Sequence, residues 1–414
     1  MTHSSAIRAA GNPILTPTMR TALTTRFELG CNYWPRRSAM YMWRELDLGE
    51  VRDDFAHLRD LGFTVVRFFL LTEDFLPAAL TVAKDRVAEL VEVARIAREE
   101  RLVTVPTLIT INMSGKLWWP AWMRDEMGTP RALYTEPTLL RAQSLLVTTC
   151  AAALAGDTSI RAFDLTNEID DALRLPSRDA GWLWTTLLAS SVRRAAPGIP
   201  VQFGAHLPSL VANTHMRIDD LASVVDEDCM HAYPLYCDVA RNFLDPELVP
   251  FSCALTAELA ATGRPPLMHE FGICTSPKGS PGLTILDDFL GHPMPQYLAS
   301  EEEGACYYKE VLERLAATGA AGAYAWCYGD YDPMLFGRAP FDTAVRERSF
   351  GLVRADGSEK PAADIVRRFA ARLKRNDVRI GQAPKLLDVT VDDYYAEPAR
   401  HFRRLYARWI ANFA

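Results

Sequence analysis

From residue 27 onward, eight short apolar and β-branched runs recur, separated by longer amphipathic stretches. They are FELGCNY (27–33), TVVRFFL (64–70), LVTVPTLI (102–109), IRAFDL (160–165), PVQFGA (200–205), the second half of SVVDEDCMHAY (223–233), PLMHEFG (266–272) and AGAYAWC (321–327). Strands that are apolar throughout are covered on both faces, which implies a parallel sheet with helices outside it. The stretches between them read as those helices: VRDDFAHLRDLG (51–62), KDRVAELVEVARIAREE (84–100) and AGWLWTTLLASSVRRAA (180–196). In the second of these, Val87, Leu90, Val91, Ala94 and Ala97 recur at three- and four-residue steps with charges between them. Eight such units favour an α/β fold of the closed (β/α)8 TIM barrel type over an open doubly wound sheet. No GxGxxG follows the first run and no GxxxxGK[ST] occurs anywhere, so nucleotide-binding α/β folds lack their phosphate loops here.

The rhythm divides the chain into an N-terminal arm (1–26) rich in Thr, Ser, Ala and Pro, a catalytic barrel (27–375), and a short C-terminal helical extension (376–414). The segment ERSFGLVRADGSEKPAADIVRRFAARLKR reads as a turn leading into the barrel's closing helix. In the extension, Phe402, Leu405, Trp409 and Phe413 fall at helical steps, a stripe expected to pack on the barrel, with an oligomer contact as the alternative. The net charge of −7 argues against nucleic acid or an acidic membrane surface as partner. Arg193–Arg194 and Arg403–Arg404 read as solvated helix faces. The N-terminus has no continuous apolar core, and the eight scattered cysteines include no CxxC pair. A cytoplasmic protein with reduced, core-filling thiols is expected, without metal clusters or membrane spans.

In such a barrel the chemistry gathers where strands end, because the loops that follow them converge at one mouth. The strand ends offer Asn32, Tyr33 and Trp34 (first), Arg67, Glu73 and Asp74 (second), Asn112, Trp118 and Trp119 (third), and Asn167 and Glu168 (fourth). They continue with His206 (fifth), His231 and Tyr233 (sixth), His269 and Glu270 (seventh), and Trp326, Tyr328 and Asp330 (eighth). Two carboxylates, at strands four and seven, would face each other across the mouth. That is the arrangement retaining glycoside hydrolysis needs, one carboxyl as acid then base and the other as nucleophile. Tryptophans supply flat platforms for the apolar faces of sugar rings. Arg67 lies inside an apolar strand and needs a buried counter-charge, for which Glu270 is the obvious partner.

These strand ends resemble those of the clan A glycoside hydrolases, and within the clan glycoside hydrolase family 5, over residues 27 to 375. LTNEID is similar to the clan's strand-four motif, which implies Glu168 as acid/base and Asn167 as partner of the sugar 2-hydroxyl. LMHEFG is similar to the strand-seven motif and implies Glu270 as nucleophile. HAYP resembles the strand-six His-x-Tyr, placing His231 near the acid/base and Tyr233 on the nucleophile. Arg67 in VVRFF matches the arginine that keeps the nucleophile ionised, and Trp326 in YAWCYGD the tryptophan beneath the reacting sugar. One position departs: where the family has a histidine near the end of strand three, TLITINMSG has Asn112.

The resemblance implies a retaining β-glycosidase needing no cofactor or metal, with a small carbohydrate as substrate and a homo-oligomer possible. Trp34, Asn112, Trp118, Trp119, His206, Tyr328 and Asp330 are the candidate sugar contacts. KLWWPAWM is open between a subsite and a packed lid base, His206 and His269 between function and core, and Asp170 and Asp171 read as solvated loop charges. Long loops after strand three (112–135) and strand seven (272–303) would wall off one end of the cleft. That favours exo action on small glycosides, of β-mannosidase or β-glucosidase type. The alternatives are an endo-acting mannanase or cellulase and a non-catalytic carbohydrate-binding barrel.

Overall fold

The computed structural model describes residues 27–413, without the side chain of Phe413; the expected arm, 1–26, lies outside them. Eight strands form the barrel: β1 (Glu28–Tyr33), β2 (Val65–Leu71), β3 (Val103–Thr110), β4 (Phe163–Asn167), β5 (Val201–Gly204), β6 (Cys229–His231), β7 (Leu267–Phe271) and β8 (Gly322–Ala325). Their order is β5-β4-β3-β2-β1-β8-β7-β6, every neighbouring pair parallel. The two ends meet where the backbone N–H of His231 donates to Ala205 O and that of Asp226 to Val201 O, both at 2.8 Å. A parallel bridge pairs His206 with His231 at the same seam. The ring is thereby closed, as the alternation of apolar runs predicts.

The helices following the strands are α1 (Leu48–Leu61), α2 (Lys84–Glu99), α3 (Pro137–Leu154), α4 (Arg178–Ala195), α5 (Ile218–Val224), α6 (Leu248–Ala260), α7 (Glu301–Ala317) and α8 (Pro361–Lys374). Local chemistry sets their ends. Asp47 caps α1 by accepting from Gly49 and Glu50 N–H, and Ser300 with Glu303 forms a reciprocal capping box on α7. One further helix, α9 (Pro398–Phe413), lies against the short helix Pro208–Val211 and α6. Its Phe402, Leu405 and Trp409 are buried, packed with Tyr406 around Phe251 of α6. Among the described residues, no helix is long and apolar enough to cross a membrane. All eight cysteines are free; Cys306 is exposed and Cys237 half-buried, so these two do not fill the core.

Two loops carry hairpins of their own. After β3, Asn112–Met113 pairs with Lys116–Leu117; after β7, Leu283–Phe289 pairs antiparallel with His292–Leu298. Both reach over the mouth of the barrel.

Candidate active site

Glu168 follows directly on β4, and its backbone sits in the left-handed region at φ 42°, ψ 48°. A side-chain-bearing residue adopts that conformation at a cost of order 1–3 kcal/mol, and such outliers cluster at functional sites. The turn stops the strand and starts the short helix Ile169–Ala172. Glu270 comes from β7, which stays extended. A carboxylate oxygen of each and a ring nitrogen of His231 lie within 4.8 Å of one another.

Arg67 is fully buried beneath this pair. Its Nη1 donates to Glu270 Oε1 at 2.5 Å and to Asn32 Oδ1 at 3.0 Å; its Nη2 donates to Asn167 Oδ1 at 2.9 Å and Asp164 Oδ2 at 2.8 Å. A cation this buried requires such compensation, here from two carboxylates. Tyr233 Oη donates to Glu270 Oε2 at 2.8 Å, so each oxygen of Glu270 has its own donor. Asn167 is held in turn by Asn112 O, which accepts from its Nδ2 at 3.1 Å. Gly204 ends β5 where a Cβ would lie 2.6 Å from Thr166 O and 3.1 Å from both Arg67 Nη2 and His231 Cε1. Only glycine lets the strand pass this close.

Glu168 stands in different surroundings. Burial pushes its carboxyl up, against the pull of His206 and Arg67. His231 Nδ1 lies 2.9 Å from Glu168 Oε1, and burial drives this imidazole down to about 3, so it is neutral. A neutral ring can donate to the carboxylate or accept from the protonated acid, depending on tautomer. Asn112 Nδ2 approaches Glu168 Oε2 at 3.3 Å. His206 behaves oppositely: although burial alone would lower it, Asp170, Asp171 and Glu168 raise it to about 10. Its Nε2 meets Asp170 Oδ1 at 3.0 Å, and its Nδ1 stands 3.9 Å from Glu168 Oε1. Burial raises Asp171 to about 6 despite His206. Asp170 and Asp171 are thus partners of a charged histidine and not the solvated loop charges expected.

One cavity joins these groups. Asn112, Asn167, Glu168, Asp171, His206, His231, Tyr233, Glu270 and Trp326 line its floor and sides. Tyr236, Phe289, Leu290, Met294, Arg346, Glu347 and Phe350 also line it. Sequence reading missed all of this second group. Glu347 opens the stretch that reads as a turn and Arg346 precedes it, and nothing in their spacing distinguishes a buried ion pair from an exposed one. Donor atoms of Glu168, His231 and Glu270, or of Glu168, Asp171 and His206, are close enough to share a cation. Arg67 and the charged His206 already supply positive charge at both places.

Five expected sugar contacts are not among the residues lining this cavity. Trp34 is buried, stacked on Phe69, with its Nε1 3.4 Å from Met113 Sδ. Trp118 is buried with its Nε1 donating to Met113 O at 3.2 Å, and Lys116 lies over its ring. Trp119 is buried as well, so KLWWPAWM is a packed base to the loop. Tyr328 turns behind the strands to donate to Asp54 Oδ1 at 2.8 Å, and Asp330 accepts from Lys360 Nζ at 2.7 Å. Strand-end position selects residues near the mouth, but each large apolar ring gains more by burial than by facing water. His269, left open by the sequence, is fully buried between His231 and Tyr324.

Solved structures share this architecture. GH5_18 from Streptomyces cattleya, in complex with GlcNAc, superposes with a TM-score of 0.79 at 20% identity, covering 93% of this chain and 91% of that one. The fold is that of family 5 glycoside hydrolases. A GH5_18 variant from Bifidobacterium longum in complex with Manβ1-4GlcNAc gives 0.77 at 16% identity, over 93% of this chain and 89% of that one. An exo-β-1,4-mannosidase from Opitutaceae bacterium strain TAV5 gives 0.71 at 22%, over 86% of this chain and 60% of that one. No protein-family model matches the sequence, and no curated protein does either.

Proposed function

We propose that the chain is a retaining, exo-acting β-glycosidase that hydrolyses small β-glycosides or oligosaccharides by double displacement. The observation that carries this reading is the carboxylate pair, with oxygens of Glu168 and Glu270 within 4.8 Å of one another. Retaining enzymes hold their carboxyls about 5–5.5 Å apart, whereas inverting ones leave about 6.5–9.5 Å for a water. Glu270, held by Arg67 and Tyr233, attacks the anomeric carbon as Glu168 passes its proton to the glycosidic oxygen. Glu168 then takes a proton from water, which opens the glycosyl ester and frees Glu270. In this reading Asn167 holds the sugar 2-hydroxyl and Trp326 carries the ring.

Exo action is supported by the roof. Loops after β3, β6, β7 and β8 meet at Arg346, which donates to Asp287 of the long hairpin and to Tyr236 Oη at 3.0 Å. A Cβ on Gly115 would lie 3.1 Å from its Nη2. A polymer groove must run out at both ends, and this junction blocks one. Among sugars, β-mannosides come first, because one similar structure is named an exo-β-1,4-mannosidase and another is in complex with Manβ1-4GlcNAc.

Stereochemistry tests the roles. Glu168→Ala should still be glycosylated by aryl glycosides with good leaving groups, then stall, and azide should rescue it to give the β-glycosyl azide. Glu270→Gly should give the α-azide by direct attack. The same anomer from both variants, or inverted sugar from the wild type, would reject the assignment. A panel of aryl β-mannoside, glucoside, galactoside, xyloside and fucoside ranks the sugars.

A further inference from the structure

Glu347 is a carboxylate that the double-displacement scheme does not use. It is 5% exposed and lines the cavity. Its contacts with Tyr236 Oη and Arg346 Nε are both long, at 3.4 Å, and both fall on Oε1; the Ser114 hydroxyl is its third side-chain neighbour. A carboxylate has about four acceptor positions, and burying one without strong donors costs several kcal/mol. Arg346 relieves it only in part, because that guanidinium is shared with other partners. Its Nη1 donates to Asp287 Oδ2 at 2.9 Å and its Nε to Tyr236. Burial accordingly pushes the Glu347 carboxyl up, with Arg346 and the Ser114 hydroxyl opposing. A group held this way, in a wall built by the loops after β6 and β8, is prepared for donors that arrive from outside the protein.

Its position indicates which donors. His206 and Asp171 stand beside Glu168. Glu347 is linked instead to the nucleophile's side. It contacts Tyr236, whose ring centroid is 5.6 Å from that of Tyr233, the residue bonded to the nucleophile. Phe350, three residues further along, packs edge-on against the same Tyr233 ring at 6.2 Å. A sugar whose anomeric carbon reaches Glu270 under this roof presents its remaining ring hydroxyls to Glu347.

We propose that Glu347 is a specificity-determining residue whose carboxylate accepts hydrogen bonds from hydroxyls of the terminal, non-reducing sugar, so that the site selects neutral sugars unsubstituted at those positions. This rests on the glycosidase reading above. A second carboxylate on the sugar would face Glu347 and be repelled, so uronosides are rejected.

The test pairs substrate and protein deletions. Aryl β-glycosides of the sugar the wild type cleaves best are made without the 3-, 4- or 6-hydroxyl, and kcat/KM is measured for wild type, Glu347→Gln and Glu347→Ala. A hydrogen bond to a charged group is worth about 1.5–3 kcal/mol, or roughly 10- to 150-fold in rate. The wild type should lose about that factor on removal of at least one hydroxyl. Glu347→Ala should lose a similar factor on the parent glycoside and nothing more when that hydroxyl is also absent, with Glu347→Gln between. Melting curves of Glu347→Gln guard against misfolding, since the amide keeps the shape. Penalties that stay as large in the variants as in the wild type would overturn the inference while leaving the glycosidase reading intact. A wild type that cleaves no glycoside at all would overturn that reading, and this one with it.

Discussion

At Glu168 one residue combines a left-handed backbone, burial and a charged neighbour, and each has a measurable consequence. Burial favours the protonated form, which a general acid requires, and the nearby His206 cation opposes it. His206→Gln removes that cation and also leaves Asp170 and Asp171 uncompensated, so both changes raise the Glu168 pKa. The alkaline limb of the kcat/KM profile should therefore move to higher pH; a shift to lower pH would contradict the pairing. Arg67 serves two buried carboxylates, Glu270 and Asp164. Arg67→Met should destabilise the fold by about 3–5 kcal/mol, the usual result of breaking a buried pair. It should also reduce kcat/KM by roughly 10³, as when one preorganised donor is lost. Near-normal activity in that variant would show that Glu270 does not depend on the guanidinium.

At the level of elements, the barrel supplies a rigid floor and the two hairpins supply the walls. The long hairpin is tied to the loop after β8 through Asp287, which accepts from Val345 N at 2.7 Å, Arg346 N at 2.9 Å and Arg346 Nη1 at 2.9 Å. Leu286 on its outer face is 73% exposed, so little else restrains that side. Asp287→Ala should release the hairpin, giving faster proteolysis within 283–298 and a KM higher by about tenfold, while the barrel's melting temperature changes less than with Arg67→Met. Unchanged proteolysis would mean that the hairpin is held by its face contacts instead. Beneath the site, Gly204→Ala should cost about 1–3 kcal/mol, because the added methyl meets the backbone oxygen of Thr166. A thermal melt measures it directly.

Across the whole molecule, His206 ties stability to pH. Its folded value, about 10, lies above the ordinary 6.5, so its contribution is complete below pH 6.5 and is lost as pH rises towards 10. Wild-type stability should fall across that window in denaturant titrations. His206→Gln should be less stable at pH 6 and flatter between pH 6.5 and 10; an equal slope in both proteins would place the titration elsewhere.

The closed parallel barrel was legible in the sequence because both its signals are local. Each buried strand is a short apolar run, and each helix has its own 3.6-residue stripe, so eight repetitions of the pair admit few other folds. Strand-end residues were legible for the same reason: a strand's C-terminus is a position in the sequence, and the loops it feeds converge. Thus Asn112, Asn167, Glu168, His206, His231, Tyr233, Glu270 and Trp326 meet in one cavity, with Arg67 directly beneath it. The directions of side chains were not legible. Trp34 follows its strand as closely as Trp326 does, yet it turns into the packing, as do Trp118, Trp119 and Tyr328, and Asp330 turns to Lys360. The roof was not legible either. Arg346, Asp287, Tyr236 and Glu347 come from three separate loops, and their charges become a buried junction only once the hairpin folds back over the mouth. Periodicity records what one element does with its own faces, whereas a contact between loops more than fifty residues apart leaves no period in the chain; only the tertiary structure decides it.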